Sequence, residues 1–295
     1  MRASLAYTRV AVESSRPPQL LLVVGVYLLG VAISAAGEAM LDRRRVALGA
    51  VPLLALAASV HYANEYADHE TDAITEPTPF SGGSGALART GVSRWFVGVL
   101  ATGSLAVGLL AAAGLGFAGS LEREALAVLV GATVAGWQYS LGPLRLAWRG
   151  WGEVTNAALG GLALPVYGAA VLGGSLVRVA LASLPFALLV LLNLFATQWP
   201  DREADAAVGK QTLAVRWSAR RLRVTYTTVA VLAGVVVLAL HPVVLPTPVV
   251  LASLPVAPLV GYAAHGYTRR RLPWPSVTAM VGLAVLQFAA WAWLV

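Results

Sequence analysis

The sequence has no cysteine and few charged residues, and both shortages narrow what the protein can be. Without cysteine there can be no disulfide bond, no thiolate metal site and no cysteine nucleophile. Charged residues make up only 12% of the 295 residues, whereas a soluble domain carries roughly a quarter. Hydrophobic residues make up 58%, so lipid is the expected solvent for most side chains.

Long apolar runs account for most of the chain. About 20 apolar residues are needed to cross a bilayer as a helix. Such runs lie at 19–37, 46–66, 95–118, 124–141, 153–174, 179–199, 222–240, 244–267 and 275–295. Because the runs are continuous, without alternation of polar and apolar residues, they predict helices rather than barrel strands. We expect an all-α polytopic membrane protein of about nine transmembrane helices, forming a single domain over 1–295, with no signal peptide.

The basic residues predict the orientation in the membrane rather than a nucleic-acid partner. The chain has 20 arginines, one lysine and a net charge of +7, and most of the cations lie in short breaks between apolar runs. Sixteen fall on the side of the N-terminus and five on the other. The positive-inside rule therefore puts the N-terminus and the breaks after the second, fourth, sixth and eighth runs in the cytoplasm. The exception to this distribution is a group of three arginines on the opposite side, Arg43, Arg44 and Arg45.

The acidic residues concentrate in two breaks on the same predicted side. Eight of the 14 acids lie in 64–90 and 198–218. Asp68 and Asp72 follow the second apolar run, and Asp201 and Asp205 follow the sixth, each 133 positions after its counterpart. The shared spacing and offset predict an internal repeat, with helices 1–4 matching helices 5–8.

These aspartates predict a magnesium site. Residues four apart lie on one face of a helix, so Asn64, Asp68 and Asp72 form one stripe, and Asp201 and Asp205 form another. Carboxylates that meet without cations repel one another, and Mg²⁺ relieves this by bridging one or two carboxylates to substrate phosphate oxygens. A single such pair is usually a pair of solvated acids at a helix end. The second copy on the same side favours a metal–diphosphate site.

A bound diphosphate would need cations and hydrogen-bond donors near these acids. Lys210, Arg145 and Arg149 are candidates to contact its oxygens. Ser81 lies in the segment TPFSGGSG, whose backbone amides and hydroxyls could wrap an anion. We expect these four residues to belong to the diphosphate-binding surface.

Two polar residues at the start of the fifth apolar run are further candidates for substrate binding. Polar groups that face a bundle interior at membrane depth, such as Glu153 and Asn156, are functional candidates. A transporter built on a repeat is the alternative class. Transporter acids usually lie near the middle of the membrane, whereas these lie at helix ends beside polar loops. The positions therefore favour an enzyme.

The two acidic segments resemble the motifs of the UbiA superfamily of intramembrane aromatic prenyltransferases, across nearly the whole chain. NEYADHETD, from Asn64, is similar to the family's NxxxDxxxD motif, and DREAD, from Asp201, to its DxxxD motif. TPFSGGSG, YSLGPLRLAWRGWGE and DREADAAVGKQTLAVRWS resemble the menaquinone-type branch, the 1,4-dihydroxy-2-naphthoate prenyltransferases. Thr197 stands where many relatives have asparagine, four residues before the second motif.

The resemblance implies a fold, a reaction and residue roles. The fold would be a ring of helices around a central cavity that opens sideways to lipid. The reaction would be Mg²⁺-dependent prenyl transfer from a polyprenyl diphosphate to a lipophilic aromatic acceptor, at the cytoplasmic face of a prokaryotic plasma membrane. Tyr139 would lie near the allylic carbon, and Asn64 and the four aspartates would hold Mg²⁺. A glyceryl ether lipid, a tetrapyrrole or a carotenoid precursor are alternative acceptors.

Overall fold

The chain, described by a computed structural model over residues 2–37, 39–72, 74, 83–271 and 273–295, is built from helices. No strand occurs in these residues. The helices are α1 (Arg2–Ser14), α2 (Pro17–Ala35), α3 (Arg43–Ala67), α4 (His69–Asp72), α5 (Ala86–Thr90), α6 (Arg94–Phe117), α7 (Arg123–Ser140), α8 (Gly152–Ala158), α9 (Leu164–Val171), α10 (Leu176–Ala207), α11 (Leu213–Arg216), α12 (Ala219–Leu240), α13 (Thr247–Ser253), α14 (Ala257–Gly266) and α15 (Trp274–Trp293).

Eight segments are long and apolar enough to cross a membrane, among the residues with described positions. They are Ser4–Ala35, Arg43–Ala67, Arg94–Phe117, Gly152–Val171, Leu176–Ala207, Ala219–Leu240, Thr247–Gly266 and Trp274–Trp293. The predicted all-α membrane fold is confirmed. The fourth predicted run, 124–141, forms α7, but Arg123, Glu124 and Gln138 make that helix too polar to be among the eight.

Two of the spans contain an irregular turn near a proline. In the fifth predicted run, the π-helical turn Leu159–Ala163 separates α8 from α9, just before Pro165. In the eighth, the 3₁₀ turn Leu254–Val256 separates α13 from α14 and contains Pro255. Proline has no amide hydrogen and its ring crowds the preceding turn, so regular α-helix is interrupted at such positions. The first of these turns directly follows α8, which carries Glu153.

α2 and α9 pack closely because a glycine faces the partner backbone. A Cβ atom added at Gly30 would lie 1.9 Å from the carbonyl oxygen of Pro165. Small residues let membrane helices approach until their backbones touch, which increases dispersion contact. Tyr27, on the same helix, stacks against Tyr167 with ring centroids 5.5 Å apart. This contact joins the first and second halves of the bundle.

The N-terminal helix lies over the end of α3. Tyr62 Oη donates a hydrogen bond to the Ala11 carbonyl at 2.8 Å, and His61 Nδ1 donates to the Ser15 carbonyl at 2.8 Å. At the same end of the bundle, the Gln211 amide donates to the Trp148 carbonyl at 3.0 Å. The N-terminal helix and the breaks after α3, α7 and α10 therefore meet at one end. That this end faces the cytoplasm stays a prediction.

Candidate active site

The two acidic motifs meet across Lys210. Its Nζ lies 3.4 Å from Asp68 Oδ1 and 3.5 Å from Asp205 Oδ1. The Lys210 side chain is only 12% exposed, and its backbone amide donates to the Asp205 carbonyl at 2.8 Å, which closes the end of α10. Burial alone would lower the pKa of Lys210, but the carboxylates of Asp68 and Asp205 outweigh it and raise the pKa above its usual value. The side chain is therefore an ammonium cation at neutral pH.

The first motif keeps its helical spacing although α3 ends within it. α3 stops at Ala67, and Asp72 belongs to the separate turn α4. The Asp68 amide still donates to the Asn64 carbonyl at 2.9 Å, and the Asp72 amide donates to the Asp68 carbonyl at 2.8 Å. Burial, followed by the charges of Asp68 and Glu65, raises the pKa of Asp72 to about 7. The three predicted residues remain one stripe, rich in negative charge.

The Asn64 side chain joins three segments of the chain. In the amide orientation that satisfies all neighbours, its nitrogen donates to Asp68 Oδ2 at 2.9 Å and to Ser140 Oγ at 2.7 Å. Its oxygen then accepts from Arg16 Nη1 at 3.3 Å. The Asn64 amide thereby holds the Asp68 carboxylate in place. It is itself held by Ser140, at the end of α7, and by Arg16, the residue before α2.

Sequence reasoning missed Arg16, Glu65 and Ser84 as parts of this site. Arg16 Nη2 lies 3.2 Å from Glu65 Oε2, and Glu65 is only 2% exposed. The Ser84 amide donates to the same oxygen at 3.2 Å, and Ser84 Oγ donates to Glu65 Oε1. Arg16 resembles any other basic residue in a break. The prolines that follow it, which begin α2, are the one sequence signal that the chain turns there.

A glycine lies against the first motif. Gly83 has a φ of +68°, and a Cβ atom there would lie 1.9 Å from Asp72 Oδ2. Only glycine adopts this backbone conformation without cost while leaving room for the carboxylate. The predicted diphosphate contact Ser81 lies outside the described residues.

The second motif lies inside the last turns of α10. Asp205 is 3% exposed, and its Oδ2 accepts from Thr212 Oγ1 at 3.5 Å. Asp201 lies one turn earlier on the same helix. Thr212 is fully buried and was not predicted as part of the site. It directly precedes α11, so its hydrogen bond to Asp205 holds the start of this short helix against the end of α10.

Glu153 is brought next to this second motif. It is fully buried, and its Oε1 accepts from the Leu213 amide at 2.7 Å. Tyr139, on α7, lies within electrostatic range of Glu153 and Lys210, and its Cε2 is 3.4 Å from the position of a Cβ at Gly152. Asn156 follows Glu153 by three residues on α8 and is half-buried. Both Tyr139 and Glu153 therefore adjoin the acidic cluster.

Arg145 and Arg149 are both exposed and make other contacts. The Arg145 guanidinium lies 4.2 Å from the ring centroid of Trp148. The Arg149 carbonyl accepts from Arg216 Nη1 at 3.4 Å. Among the described residues, the cations in contact with Asn64, Glu65 and Asp68 are Lys210 and Arg16. The two predicted arginines lie on the loop after α7.

The residues present fit a divalent cation that also binds a ligand. No three carboxylate or histidine side chains converge to hold a metal by themselves in the part of the chain with described positions. Asp68 and Asp205 nevertheless lie on either side of a cation, Lys210 Nζ, and their oxygens are the donors that Mg²⁺ prefers. Mg²⁺ usually takes one or two carboxylates and completes its shell with water and phosphate oxygens. The site suits a Mg²⁺–phosphate complex.

Solved structures share this fold over almost their full length. A homologue from Archaeoglobus fulgidus bound to DMAPP and Mg²⁺ has 16% identity and a TM-score of 0.67, covering 95% of this chain and 98% of that one. An apo homologue from Aeropyrum pernix K1 has 15% identity and a TM-score of 0.73, covering 93% and 97%. A digeranylgeranylglyceryl phosphate synthase structure has 16% identity and a TM-score of 0.66, covering 97% of each chain.

At these identities the structural likeness concerns the fold. No curated protein matches the sequence. A sequence profile does match, and it spans most of the chain, including both acidic motifs. Residues 23–281 match the UbiA prenyltransferase family, and the chain belongs to that family.

Proposed function

We propose that the protein transfers a prenyl group from a polyprenyl diphosphate to a lipophilic aromatic acceptor, such as 1,4-dihydroxy-2-naphthoate, with Mg²⁺ as cofactor. The observation that carries the proposal is the contact of Lys210 with both Asp68 and Asp205, because it brings the two motifs around one cation. The Archaeoglobus fulgidus homologue binds DMAPP or GPP together with Mg²⁺. That supports the same donor class and the same cofactor here.

Asn64, Asp68, Asp72, Asp201 and Asp205 would hold the metal. Mg²⁺ supplies neutralisation of the charge that develops on the departing diphosphate. Lys210 adds a second cation, and its three N–H groups can turn from the carboxylates to phosphate oxygens. Positive charges already placed beside the diphosphate when the substrate binds stabilise the charge that develops in the transition state.

Tyr139 would face the allylic carbon as its bond to diphosphate breaks. The π face of an aromatic ring attracts a cation, so a tyrosine next to the acidic cluster can stabilise the allylic carbocation. The surrounding apolar bundle excludes water, which would otherwise capture that cation. Asn156, one turn beyond Glu153, would contact the acceptor. Arg145, Arg149 and Ser81 would complete the diphosphate surface from the adjoining loops.

The proposed acceptor and the proposed location in the cell are supported by the sequence alone. Three segments resemble the menaquinone-type branch, which favours a dihydroxynaphthoate acceptor over a glyceryl ether lipid, a tetrapyrrole or a carotenoid precursor. The distribution of arginines favours a site at the cytoplasmic face of the membrane. The resemblance to the menaquinone-type branch favours a prokaryotic plasma membrane.

The test is turnover in membranes that contain the protein. Radiolabelled geranylgeranyl diphosphate and Mg²⁺ are supplied with four acceptors in turn: 1,4-dihydroxy-2-naphthoate, a glyceryl ether phosphate, a tetrapyrrole carboxylic acid and a carotenoid precursor. The mass of the product identifies the acceptor. Asp68→Asn and Asp205→Asn each keep the side-chain volume but remove a charge, so we expect each to lower turnover by at least about 100-fold.

Glu203→Gln is the matched control. Glu203 lies between the two aspartates of the second motif, but its side chain is 65% exposed and pairs with Arg202. We expect its turnover to equal that of the wild type. Full activity of both aspartate variants, or of the wild type in excess EDTA, would overturn the proposal. Flux of a substrate through proteoliposomes without diphosphate release would instead support the transporter alternative.

A further inference from the structure

Glu153 has a buried oxygen that the fold does not use. The side chain is fully buried. Its Oε1 accepts from the Leu213 amide at 2.7 Å, which caps the first turn of α11. Its Oε2 has no hydrogen-bond partner among the described residues. The capping contact explains one carboxylate oxygen and leaves the second unexplained.

Four parts of the chain contribute the polar groups around Glu153. Asp205 and Lys210 interact with it electrostatically from the end of α10, and its own backbone amide faces the carboxylate. Tyr139 does so from α7, and Tyr267 from the residue after α14. The Tyr267 hydroxyl is also buried without a hydrogen-bond partner in the described structure. Two buried polar groups without a hydrogen-bond partner among the described residues, Glu153 Oε2 and Tyr267 Oη, thus lie within electrostatic range of each other.

An acceptor oxygen without a donor is costly to bury, because it has lost its water and gained nothing in return. A structural role for Glu153 would be served equally by glutamine, whose carbonyl oxygen can cap α11 in the same way. A ligand that supplies an O–H donor would satisfy Oε2. Functional sites are where such unsatisfied groups are retained.

We propose that Glu153 Oε2 accepts a hydrogen bond from a hydroxyl group of the prenyl acceptor and takes its proton during transfer. The inference rests on the proposed function and narrows the acceptor to a phenol or an alcohol. The acceptor O–H bond breaks, its proton passes to Oε2, and the electron pair is freed to attack the allylic carbon, through oxygen in an alcohol or through the ring carbon in a phenol. The bond between the allylic carbon and diphosphate breaks, and its electron pair leaves with the diphosphate. In a phenol the attacked ring carbon then loses its hydrogen as a proton to the diphosphate, or its carboxylate as CO₂. The electron pair of that bond restores the aromatic ring while the oxygen takes a proton back from Oε2.

This assignment divides the four possible acceptors into two groups. A dihydroxynaphthoate and a glycerol derivative both carry a hydroxyl and can donate to Oε2. A carotenoid precursor is a hydrocarbon with no proton to donate there. A tetrapyrrole attacks through a carboxylate, which a second carboxylate repels. Glu153 therefore acts as a selector of hydroxylated acceptors as well as a base.

The test is Glu153→Gln, compared with the wild type. We expect kcat to fall by about 100-fold or more, as when a general base is removed, while the KM for geranylgeranyl diphosphate and the Mg²⁺ concentration for half-maximal activity stay unchanged. With Mg²⁺ kept saturating at every pH, so that ionisation of Asp72 does not limit metal binding, the acid limb of the pH profile of kcat should disappear. A purely capping role would change none of these, because glutamine retains the cap.

A second arm removes the donor instead of the base. The O-methyl ethers of 1,4-dihydroxy-2-naphthoate cannot donate the proton, so the wild type should lose as much activity on them as Glu153→Gln loses on the parent compound. The two losses should not add, because they remove the same proton transfer. Glu122→Gln is the control, since its side chain is 50% exposed at the opposite end of the bundle.

The outcomes separate this inference from the proposed function. Wild-type kcat and an intact acid limb in Glu153→Gln overturn the inference and leave prenyl transfer standing. If the wild type prenylates only the tetrapyrrole or the carotenoid precursor, the inference is likewise overturned while prenyl transfer stands. If the wild type prenylates none of the four acceptors, the proposed function fails and the inference fails with it.

Discussion

Arg16 and Glu65 form a buried ion pair although 49 positions separate them in the chain. Arg16 Nη2 lies 3.2 Å from Glu65 Oε2, with the side chains 20% and 3% exposed. Arg16 stands between α1 and α2 with a φ of +54°. The pair therefore fastens the N-terminal helix to the residue that follows Asn64.

Replacing Arg16 should loosen this attachment. Arg16→Gln leaves Glu65 buried without its cation, and breaking a buried pair is strongly destabilising. Because Arg16 keeps some exposure, we expect the free energy of unfolding to fall by about 2 kcal/mol. Arg16→Lys should recover part of the loss. Thermal unfolding in detergent measures both, and Arg9→Gln is the control, since Arg9 pairs with Glu13 at the surface. Equal destabilisation by the two glutamine variants would contradict the prediction.

Lys210→Met tests the central cation. Without the ammonium, Asp68 and Asp205 lose their shared counterion, so the metal-free variant should be less stable by about 1–3 kcal/mol. Added Mg²⁺ should then raise its melting temperature by more than it raises that of the wild type, because the ion no longer competes with Lys210. An unchanged melting temperature with an unchanged response to Mg²⁺ would show that the lysine does not hold the two motifs.

Gly83→Ala tests whether the Asp72 carboxylate needs the space that the missing Cβ of Gly83 leaves free. The methyl group would collide with the Asp72 carboxylate, and a small displacement of a catalytic group can cost up to about 100-fold in rate. We expect turnover to fall by about 10- to 100-fold. Gly91→Ala is the matched control, because Gly91 has the same φ of +68° and no heavy atom within 4 Å of an added Cβ. Both variants carry the same backbone strain, so equal turnover would rule out the collision as the cause.

The pKa of Asp72 predicts how pH changes stability and metal binding. A carboxyl whose pKa rises on folding, here to about 7 through burial and the charges of Asp68 and Glu65, destabilises the fold increasingly as pH rises from about 4 to 7. Asp72→Asn should therefore stabilise the metal-free protein at pH 8, with a gain that shrinks as the pH falls through 7.

Mg²⁺ binding should show the opposite dependence. The ion binds the ionised carboxylate, so its affinity should increase up to about pH 7 and level off above it. Melting temperatures measured with and without Mg²⁺ between pH 5.5 and 8 report both effects. A pH-independent difference between wild type and Asp72→Asn would contradict the assigned pKa.

The fold and the family could be predicted because their signals are local. Runs of about 20 apolar residues predict spans, and two aspartates four apart predict one helix face, without reference to distant residues. The family match confirms the prediction of a prenyltransferase. Eight of the described segments are long and apolar enough to cross a membrane, which agrees with the prediction of about nine, and the fourth predicted run forms the more polar helix α7. The internal repeat stays a prediction.

The rest of the site could not be predicted because it depends on contacts between distant segments. Arg16 belongs to no recognisable motif. Its contact with Glu65 becomes apparent only in the structure, where α1 lies over the end of α3. The partnership of Lys210 with Asp68 spans 142 positions, although a lysine after the second motif had suggested a phosphate contact. Arg145 stays a predicted diphosphate contact. Its guanidinium lies over the ring of Trp148, three residues along the chain, and its charge alone did not indicate that contact.

The position of Lys210 also bears on how the enzyme is made in the cell. Many metalloproteins need their ion to fold, because their acidic ligands repel one another until the ion arrives. Here a covalently attached ammonium supplies that neutralisation from the moment of synthesis. Scarcity of magnesium should therefore slow the enzyme without reducing how much of it accumulates in the membrane, and the ion can arrive already complexed to the diphosphate.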